Sequence, residues 1–165
     1  MLTRDDVFAV LDGVKDPEVP VLSVIELGVV RDVAIDDAGA VTVSVTPTYS
    51  GCPAMRVIED DILAALRAHG VENARIRTTF SPAWTTDRLS DSAKRKLEAY
   101  GIAPPGKTPT GDDEYLVPLR RSDVVRCPYC QSTDTALRSE FGSTACKAIR
   151  FCNSCRQPFE EFKAI

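Results

Sequence analysis

Cys127-Pro128-Tyr129-Cys130 and Cys152-Asn153-Ser154-Cys155 decide the fold of the C-terminal part of this chain, and 21 residues separate the two pairs. A two-residue spacer lets a tight turn present both sulfurs to one ion, and a tetrahedral ion needs four such donors. The sequence around the pairs can form short strands but only a small core, so the metal is expected to supply much of the folding free energy. We predict a zinc-ribbon-like β unit over residues 123–165, with one structural metal site.

The spacing of the cysteines does not by itself choose the metal. Four thiolates also accept iron or an iron–sulfur cluster. Both pairs look closed and no open ligand position is evident, which favours zinc. Cys146 lies between the pairs and could replace a ligand, but its isolation favours a small buried residue or a bystander.

A linker separates this unit from the rest of the chain. Residues 103–114 contain three prolines, two glycines and no apolar residue beyond the first alanine. We place an N-terminal domain at residues 1–103 and the linker at residues 104–122. Five of the six cysteines follow the start of the linker, which predicts one domain built on a hydrophobic core and one built on metal.

The N-terminal domain shows helical and strand periodicities in turn. Thr3-Arg4-Asp5-Asp6 has the form of a capping box, and Asp36-Asp37-Ala38-Gly39 is typical of a hairpin between two strands rich in β-branched residues. The predicted elements are a helix at 4–14, strands at 29–35 and 41–46, a helix from Pro53 to Gly70, a strand at 73–80 and a helix at 90–100. This order predicts an α+β fold in which helices pack on one small mixed sheet.

Composition limits the classes of partner. The formal net charge of −4 and pI near 5.1 argue against nucleic-acid binding, so a protein or small-metabolite partner is favoured. No apolar run approaches the ~18 residues of a membrane span, and the N-terminus shows no basic stretch followed by an apolar one. We therefore expect a cytoplasmic, reducing compartment, in which cysteines are thiols or metal ligands.

Cys52 is the candidate reactive residue of the N-terminal domain. It follows Ser50-Gly51 and precedes Pro53 at a predicted helix start, where free N–H groups and the helix dipole favour a thiolate. A nucleophile, a redox group, a soft-metal ligand and a small residue packed under the turn all stay open. His69, the one histidine, is expected to cap a helix end, so a Cys–His pair has little support. Without a carboxylate–histidine set or a glycine-rich nucleotide motif, an independent oxygenase is not supported.

Three further motifs together carry a resemblance to a known family. They are Asp16-Pro17-Glu18-Val19-Pro20, the Gly51-Cys52-Pro53 turn and Ser81-Pro82-Ala83-Trp84. Residues 4–103 resemble the small α+β domain of metal–sulfur cluster biosynthesis proteins, the SufT-like group. With the strings at 46–54, 81–87 and 101–105 and the four-cysteine ribbon, the whole chain resembles the PaaD-like accessory subunits of the phenylacetyl-CoA oxygenase (epoxidase) complex.

This resemblance implies a pathway and a role. It implies an accessory protein of aerobic phenylacetate degradation that helps to mature an iron or iron–sulfur centre, with the di-iron or reductase subunit as partner and no nucleic-acid or membrane partner. By position it makes Cys52 a transient iron or cluster ligand, with Asp16, Glu18 and Trp84 around the same site. Asp-Pro-Glu is equally a good turn, and a lone tryptophan is commonly a core residue. The alternative is a stable, non-catalytic subunit of the oxygenase in which Cys52 is idle; self-association stays open.

Overall fold

The chain forms two compact units, and a computed structural model describes residues 2–49, 51–106 and 124–164. One unit comprises Met1–Trp84 with Arg88–Ala93, and the other comprises Thr85–Asp87 with Lys94–Ile165. All but the first three residues of the predicted linker, 104–122, lie outside the described residues. In the described ranges, no helix has the length and apolar character needed to cross a membrane.

The first unit contains a three-stranded mixed sheet with helices. In chain order its elements are α1 (Arg4–Asp12), β1 (Val30–Ile35), β2 (Val41–Val45), α2 (Ala54–Ala68) and β3 (Ala74–Thr78). The sheet order is β1-β2-β3, with β1 antiparallel and β3 parallel to β2. The α+β prediction is confirmed. The first helix ends at Asp12, two residues before the predicted end, because Gly13 donates its backbone N–H to Val10 and Leu11.

Local sequence explains how α1 begins and how the sheet packs. Thr3 Oγ1 accepts the N–H of Asp6 at 3.2 Å, and the Thr3 N–H donates to the Asp6 carboxylate at 2.9 Å, so the capping box is present. Successive strand residues point to opposite faces. On β2, Val41, Val43 and Val45 are fully buried, so the face of the sheet that they share belongs to the core.

The second unit is built around a four-stranded ribbon sheet. A 3₁₀ turn (Thr86–Arg88) and α3 (Asp91–Ala99) precede it in the chain, and each has residues in both units. The strands of the second unit are β4 (Ile102–Ala103), β5 (Thr135–Ser139), β6 (Lys147–Cys152) and β7 (Pro158–Phe162), in the order β4-β7-β6-β5. β6 is antiparallel to both β5 and β7, whereas β4 runs parallel to β7. The sequence predicts Ile102–Ala103 to belong to the N-terminal domain, whereas in the structure this strand pairs with β7 of the ribbon. The boundary at residue 103 stays a prediction.

Two buried cations on β6 pair with carboxylates on β7. Lys147 Nζ lies 3.0 Å from Glu160, and Arg150 pairs with Glu161. Burial alone would raise the pKa of Glu160, but hydrogen bonds from Ser143 and the charge of Lys147 outweigh it and lower that pKa. Both cations are thus neutralised where removal from water would otherwise be costly.

Candidate metal centre and the separate cysteine Cys52

Four cysteine sulfurs meet at one end of the ribbon sheet. The Sγ atoms of Cys127, Cys130, Cys152 and Cys155 all lie within 4.8 Å of one another. Two of the separations are 3.7 Å, between Cys127 and Cys155, and 3.5 Å, between Cys130 and Cys152. A tetrahedral ion with metal–sulfur bonds of about 2.3 Å separates its ligands by about 3.8 Å, so the four donors fit such an ion.

Two turns of the same construction present these sulfurs. In the first, the Gln131 N–H donates to the Cys127 carbonyl at 2.9 Å and the Cys127 N–H donates to the Ser132 carbonyl at 3.0 Å. In the second, Cys152 makes the same two bonds, accepting from Arg156 at 3.0 Å and donating to Gln157 at 2.9 Å. Gln131 and Arg156, each four residues after the first cysteine of its pair, both have positive φ, at 63° and 62°. The two turns therefore bring two sulfurs each with matching geometry.

Contacts between the turns hold them face to face. Ser132 and Ser154 share a hydrogen bond of 2.7 Å. Asn153 donates its backbone N–H to the Asp134 carbonyl at 2.9 Å and its side-chain amide to the Asp134 carboxylate at 2.8 Å. Beneath the turns is a small buried cluster that includes two of the four cysteines: Ala103, Val125, Cys127, Cys152 and Phe159. This cluster is small, as the sequence predicts for a unit that depends on metal.

The electrostatics of the four thiols favour a bound cation. A hydrogen bond from the Cys155 N–H, at 3.5 Å, is the main cause that lowers the pKa of Cys152 to about 7. Burial raises the pKa of Cys155 to about 12. Neighbouring thiolates oppose each other's ionisation, and a divalent cation removes that conflict because it is bound by deprotonated sulfur. The donor set is thus that of a metal-binding site.

The segment before the ribbon packs against the first cysteine pair. Gly101 adopts φ +90°, and a Cβ at this position would lie 2.8 Å from the Tyr129 hydroxyl. Gln131 donates to the Glu98 carboxylate at 2.7 Å. Ala103, in β4, joins the buried cluster beside Cys127. The metal turn therefore contacts residues that precede the predicted linker, and no motif in the sequence indicated this.

Cys146 stands apart from the four-cysteine group. It is buried, and its sulfur lies 3.0 Å from the Thr144 hydroxyl in the turn between β5 and β6. The expectation of a small buried residue is confirmed.

Cys52 lies at the start of α2, as the sequence predicted. It is half-buried and unbridged; its N–H donates to the Tyr49 carbonyl at 3.3 Å, and its carbonyl accepts from Met55 at 3.3 Å. Pro53 caps the helix without a side-chain hydrogen bond. Among the six cysteines, Cys52 alone combines partial exposure with a position outside the four-sulfur group.

The two acidic residues of the Asp-Pro-Glu motif differ in environment. Asp16 is buried, and one carboxylate oxygen accepts the N–H groups of Glu18 and Val19 at 2.8 and 2.7 Å. This is the arrangement of a residue that stabilises its own turn. Glu18 is half-buried and donates its backbone N–H to that turn.

Trp84 and His69 also make local contacts. Trp84 is buried, and its indole N–H donates to the Leu27 carbonyl at 2.9 Å. His69 is exposed, caps the end of α2 and places Nδ1 2.9 Å from the Ala65 carbonyl. The prediction that His69 is a surface helix cap is confirmed.

Comparisons with known proteins agree with this geometry. The family described as "Iron-sulfur cluster assembly protein" matches residues 4–76, and the "PaaD zinc beta ribbon domain" matches residues 112–163. The chain is 43% identical over 160 residues to a putative 1,2-phenylacetyl-CoA epoxidase subunit of Escherichia coli, covering 97% of this chain and 92% of that protein.

Other relatives match the α+β part. The "Fe-S protein maturation auxiliary factor" of Porphyromonas gingivalis is 36% identical over 96 residues, covering 58% of this chain and 90% of that protein. A crystal structure of a domain of unknown function, DUF59, from Bacillus anthracis has a TM-score of 0.54 and 29% identity, covering 57% of this chain and 90% of that one. These two proteins therefore match only the α+β part of the chain, whereas the E. coli protein matches the chain over nearly all its length.

Proposed function

Because this chain belongs to the PaaD family, with an iron–sulfur cluster assembly domain followed by a PaaD zinc β-ribbon, we propose that it is an accessory protein that assists assembly of an iron or iron–sulfur centre in a phenylacetyl-CoA epoxidase complex. The observation that carries this proposal is the similarity to the E. coli epoxidase protein over 97% of the chain. The similarity of the α+β part to a maturation factor of Fe–S proteins supports the assembly role.

The ribbon's four thiolates hold zinc in this proposal. Zinc is redox-inert and takes four sulfur ligands, so it supplies a cross-link that organises the two turns. Cys127, Cys130, Cys152 and Cys155 are all committed to that ion, and no ligand position is left for substrate. The ribbon therefore acts as a structural unit, and the handling of iron falls to another residue.

Cys52 is the proposed transient ligand for iron or a cluster. Its thiol is partly exposed and lies immediately before the start of α2, where an incoming metal can reach it. One thiolate does not fill the coordination shell of an iron–sulfur cluster, which takes four protein ligands. The remaining ligands come from outside Cys52: from a second copy of this chain or an added thiol in the isolated protein, and from the donor or the recipient during transfer. We propose the di-iron or the reductase subunit of the epoxidase as recipient.

Asp16, Glu18 and Trp84 support this site indirectly in our proposal. The Asp16 carboxylate is engaged by two backbone N–H groups, and the Trp84 indole by a backbone carbonyl. These contacts stabilise the loops in which the two side chains lie. In our proposal the iron is therefore bound by the Cys52 sulfur and not by these side chains.

The test is anaerobic reconstitution with ferrous iron and sulfide, followed by measurement of zinc, iron and acid-labile sulfide per chain. Wild type is compared with Cys52→Ser and with Cys146→Ser, which also removes one thiol outside the four-sulfur group. We expect equal zinc in all three proteins and labile iron in the wild type and Cys146→Ser only. Equal iron in the wild type and Cys52→Ser would refute the role of Cys52.

A second candidate function is a permanent subunit of the epoxidase, and the word "subunit" in the name of the E. coli relative favours it. The same proteins distinguish the two functions when the purified epoxidase components are added. A complex that survives gel filtration with the wild type and equally with Cys52→Ser indicates a structural subunit. Iron acquired by the apo-recipient, only when Cys52 is intact, indicates an assembly factor.

A further inference from the structure

The free edge of the first unit's sheet carries an unused pair of guanidinium groups. β3 is an edge strand, and within the described ranges no strand pairs with its outer side. Arg75 and Arg77 are both exposed and lie two residues apart on β3, so their side chains share one face of the sheet. That face is opposite to the one formed by the buried valines of β2.

Hydroxyl groups on β2 hold both guanidinium groups in place. Arg75 donates through Nε to Thr42 Oγ1 at 2.8 Å. Arg77 donates through Nε and Nη2 to Ser44 Oγ at 3.3 and 3.1 Å. A guanidinium has five N–H donors in a planar fork, so each arginine is oriented by a neutral oxygen and keeps donors for an outside acceptor.

Neighbouring carboxylates in the described part of the chain are engaged with other groups. Asp32, which lies opposite Ser44 in the sheet, forms its ion pair with Arg4. Glu59 of α2 accepts a hydrogen bond from Thr78, whose side chain is on the opposite face from the two arginines. Arg75 and Arg77 therefore form a cationic strip without a matching anion in the part of the molecule that is described.

We propose that β3 and its two arginines form a docking strip for an extended acidic segment of a partner protein. A partner strand that pairs with the free edge of β3 gains backbone hydrogen bonds. Its alternate side chains repeat at about 6.8 Å, the same spacing as Arg75 and Arg77. Carboxylates on alternate residues of that segment can bind the guanidinium groups of Arg75 and Arg77 at the same time. Charge and spacing then both contribute to selectivity.

Charged residues on an edge strand have another use, which is to discourage pairing between copies of a protein. That use requires charge alone. It does not require the guanidinium groups to be anchored on the neighbouring strand, and it predicts no preference between acidic sequences. The anchoring on Thr42 and Ser44 is the feature that favours a binding role.

The test uses the full chain and two fluorescein-labelled peptides of equal composition and charge. One alternates Thr and Glu; the other carries its Glu residues in one block. Fluorescence anisotropy gives the Kd, and hydrogen exchange reports on the β3 amides. We expect the alternating peptide to bind more tightly, to bind less tightly as salt is added, and to slow exchange in β3.

Three variants distinguish binding through the anchored arginines from a general effect of positive charge. Arg75→Gln/Arg77→Gln should raise the Kd of the alternating peptide about tenfold, since two exposed ion pairs together account for roughly that factor. Arg56→Gln/Arg67→Gln removes the same charge from exposed positions on α2 and should leave the Kd unchanged. Thr42→Val keeps every charge but frees Arg75, and should weaken binding by a smaller factor.

Three results would overturn the proposal: no binding of the alternating peptide, equal binding of the two peptides, or equal losses in the two double variants. The proposal does not rest on iron transfer. A Cys52→Ser chain should bind the peptide like the wild type, so failure of one proposal leaves the other standing.

Discussion

Replacing Gly101 by alanine should destabilise the ribbon through two separate effects. The backbone at this position has φ +90°, where a residue with a Cβ costs about 1–2 kcal/mol. The added Cβ would also lie 2.8 Å from the Tyr129 hydroxyl, 3.2 Å from Cε1 and 3.3 Å from Cζ. Tyr129 is more than half exposed, so its ring can move away from the added Cβ, and an off-rotamer side chain costs about 0.5–1.5 kcal/mol. We therefore expect a total loss of about 1.5–3.5 kcal/mol.

The measurement is release of the ribbon metal to a chromophoric chelator during a urea titration, because metal release reports on this unit alone. Gly101→Ala should shift the midpoint to lower urea. Tyr129→Ala/Gly101→Ala should recover the part of the loss that the overlap causes, a coupling of about 0.5–1.5 kcal/mol in a double-mutant cycle. Gly70→Ala measures the cost of the backbone conformation separately, because Gly70 has φ +82° and nothing lies within 4 Å of the added Cβ. Its loss of stability is measured by the helical circular dichroism signal during the same urea titration.

Two outcomes would refute this reasoning. One is a Gly101→Ala midpoint equal to that of wild type. The other is a cost of Gly101→Ala that stays the same when the Tyr129 side chain is removed. The second result would show that the segment before the ribbon does not pack on the cysteine turn in solution.

Other predictions concern single groups. Cys127→Ser should lose the ribbon metal whereas Cys146→Ser should keep it, as metal analysis of the purified chains will show; equal metal in the two variants would contradict the assignment of ligands. Asp16→Ala leaves two backbone N–H groups without an acceptor and should cost about 1–3 kcal/mol in thermal unfolding, with Asp16→Asn milder; equal costs would argue against the turn. The pKa of Glu160 is lower in the folded chain, so its contribution is present above its unfolded pKa and is lost as pH falls through the folded one. Glu160→Gln should reduce the difference in urea midpoint between neutral and acidic pH, and an unchanged pH profile would contradict this.

Much of this structure could be predicted from short-range patterns. The capping box at Thr3 and the two Cys-x-x-Cys pairs are local, so spacing alone indicates the helix start and the four-sulfur group. The position of Cys52 ahead of α2 was predictable for the same reason, because Pro53 marks a helix start.

The features that sequence reasoning missed depend on distant contacts. β4 is two residues long, too short to show any period, and only its pairing with β7 defines it as a strand. The spacing of the cysteines predicts the two turns, but their positive φ occurs at Gln131 and Arg156, which are not glycine, so composition gives no sign of the left-handed residue in each turn. The anchoring of Arg75 and Arg77 depends on the parallel pairing of β2 and β3, which brings hydroxyl groups beside both guanidinium groups.

The two ion pairs between β6 and β7 help to specify the register of these two strands. In the native pairing Lys147 lies opposite Phe162 and Arg150 opposite Phe159, so each cation reaches diagonally to its carboxylate, and the two diagonals lean in opposite directions. A slip of two residues that brings Lys147 directly opposite Glu160 moves Arg150 away from Glu161, and the reverse slip does the opposite. A slip of one residue exchanges the faces of the sheet. Each two-residue slip thus leaves one buried cation without its carboxylate, so the two ion pairs together oppose a shift of β7 along β6 in either direction.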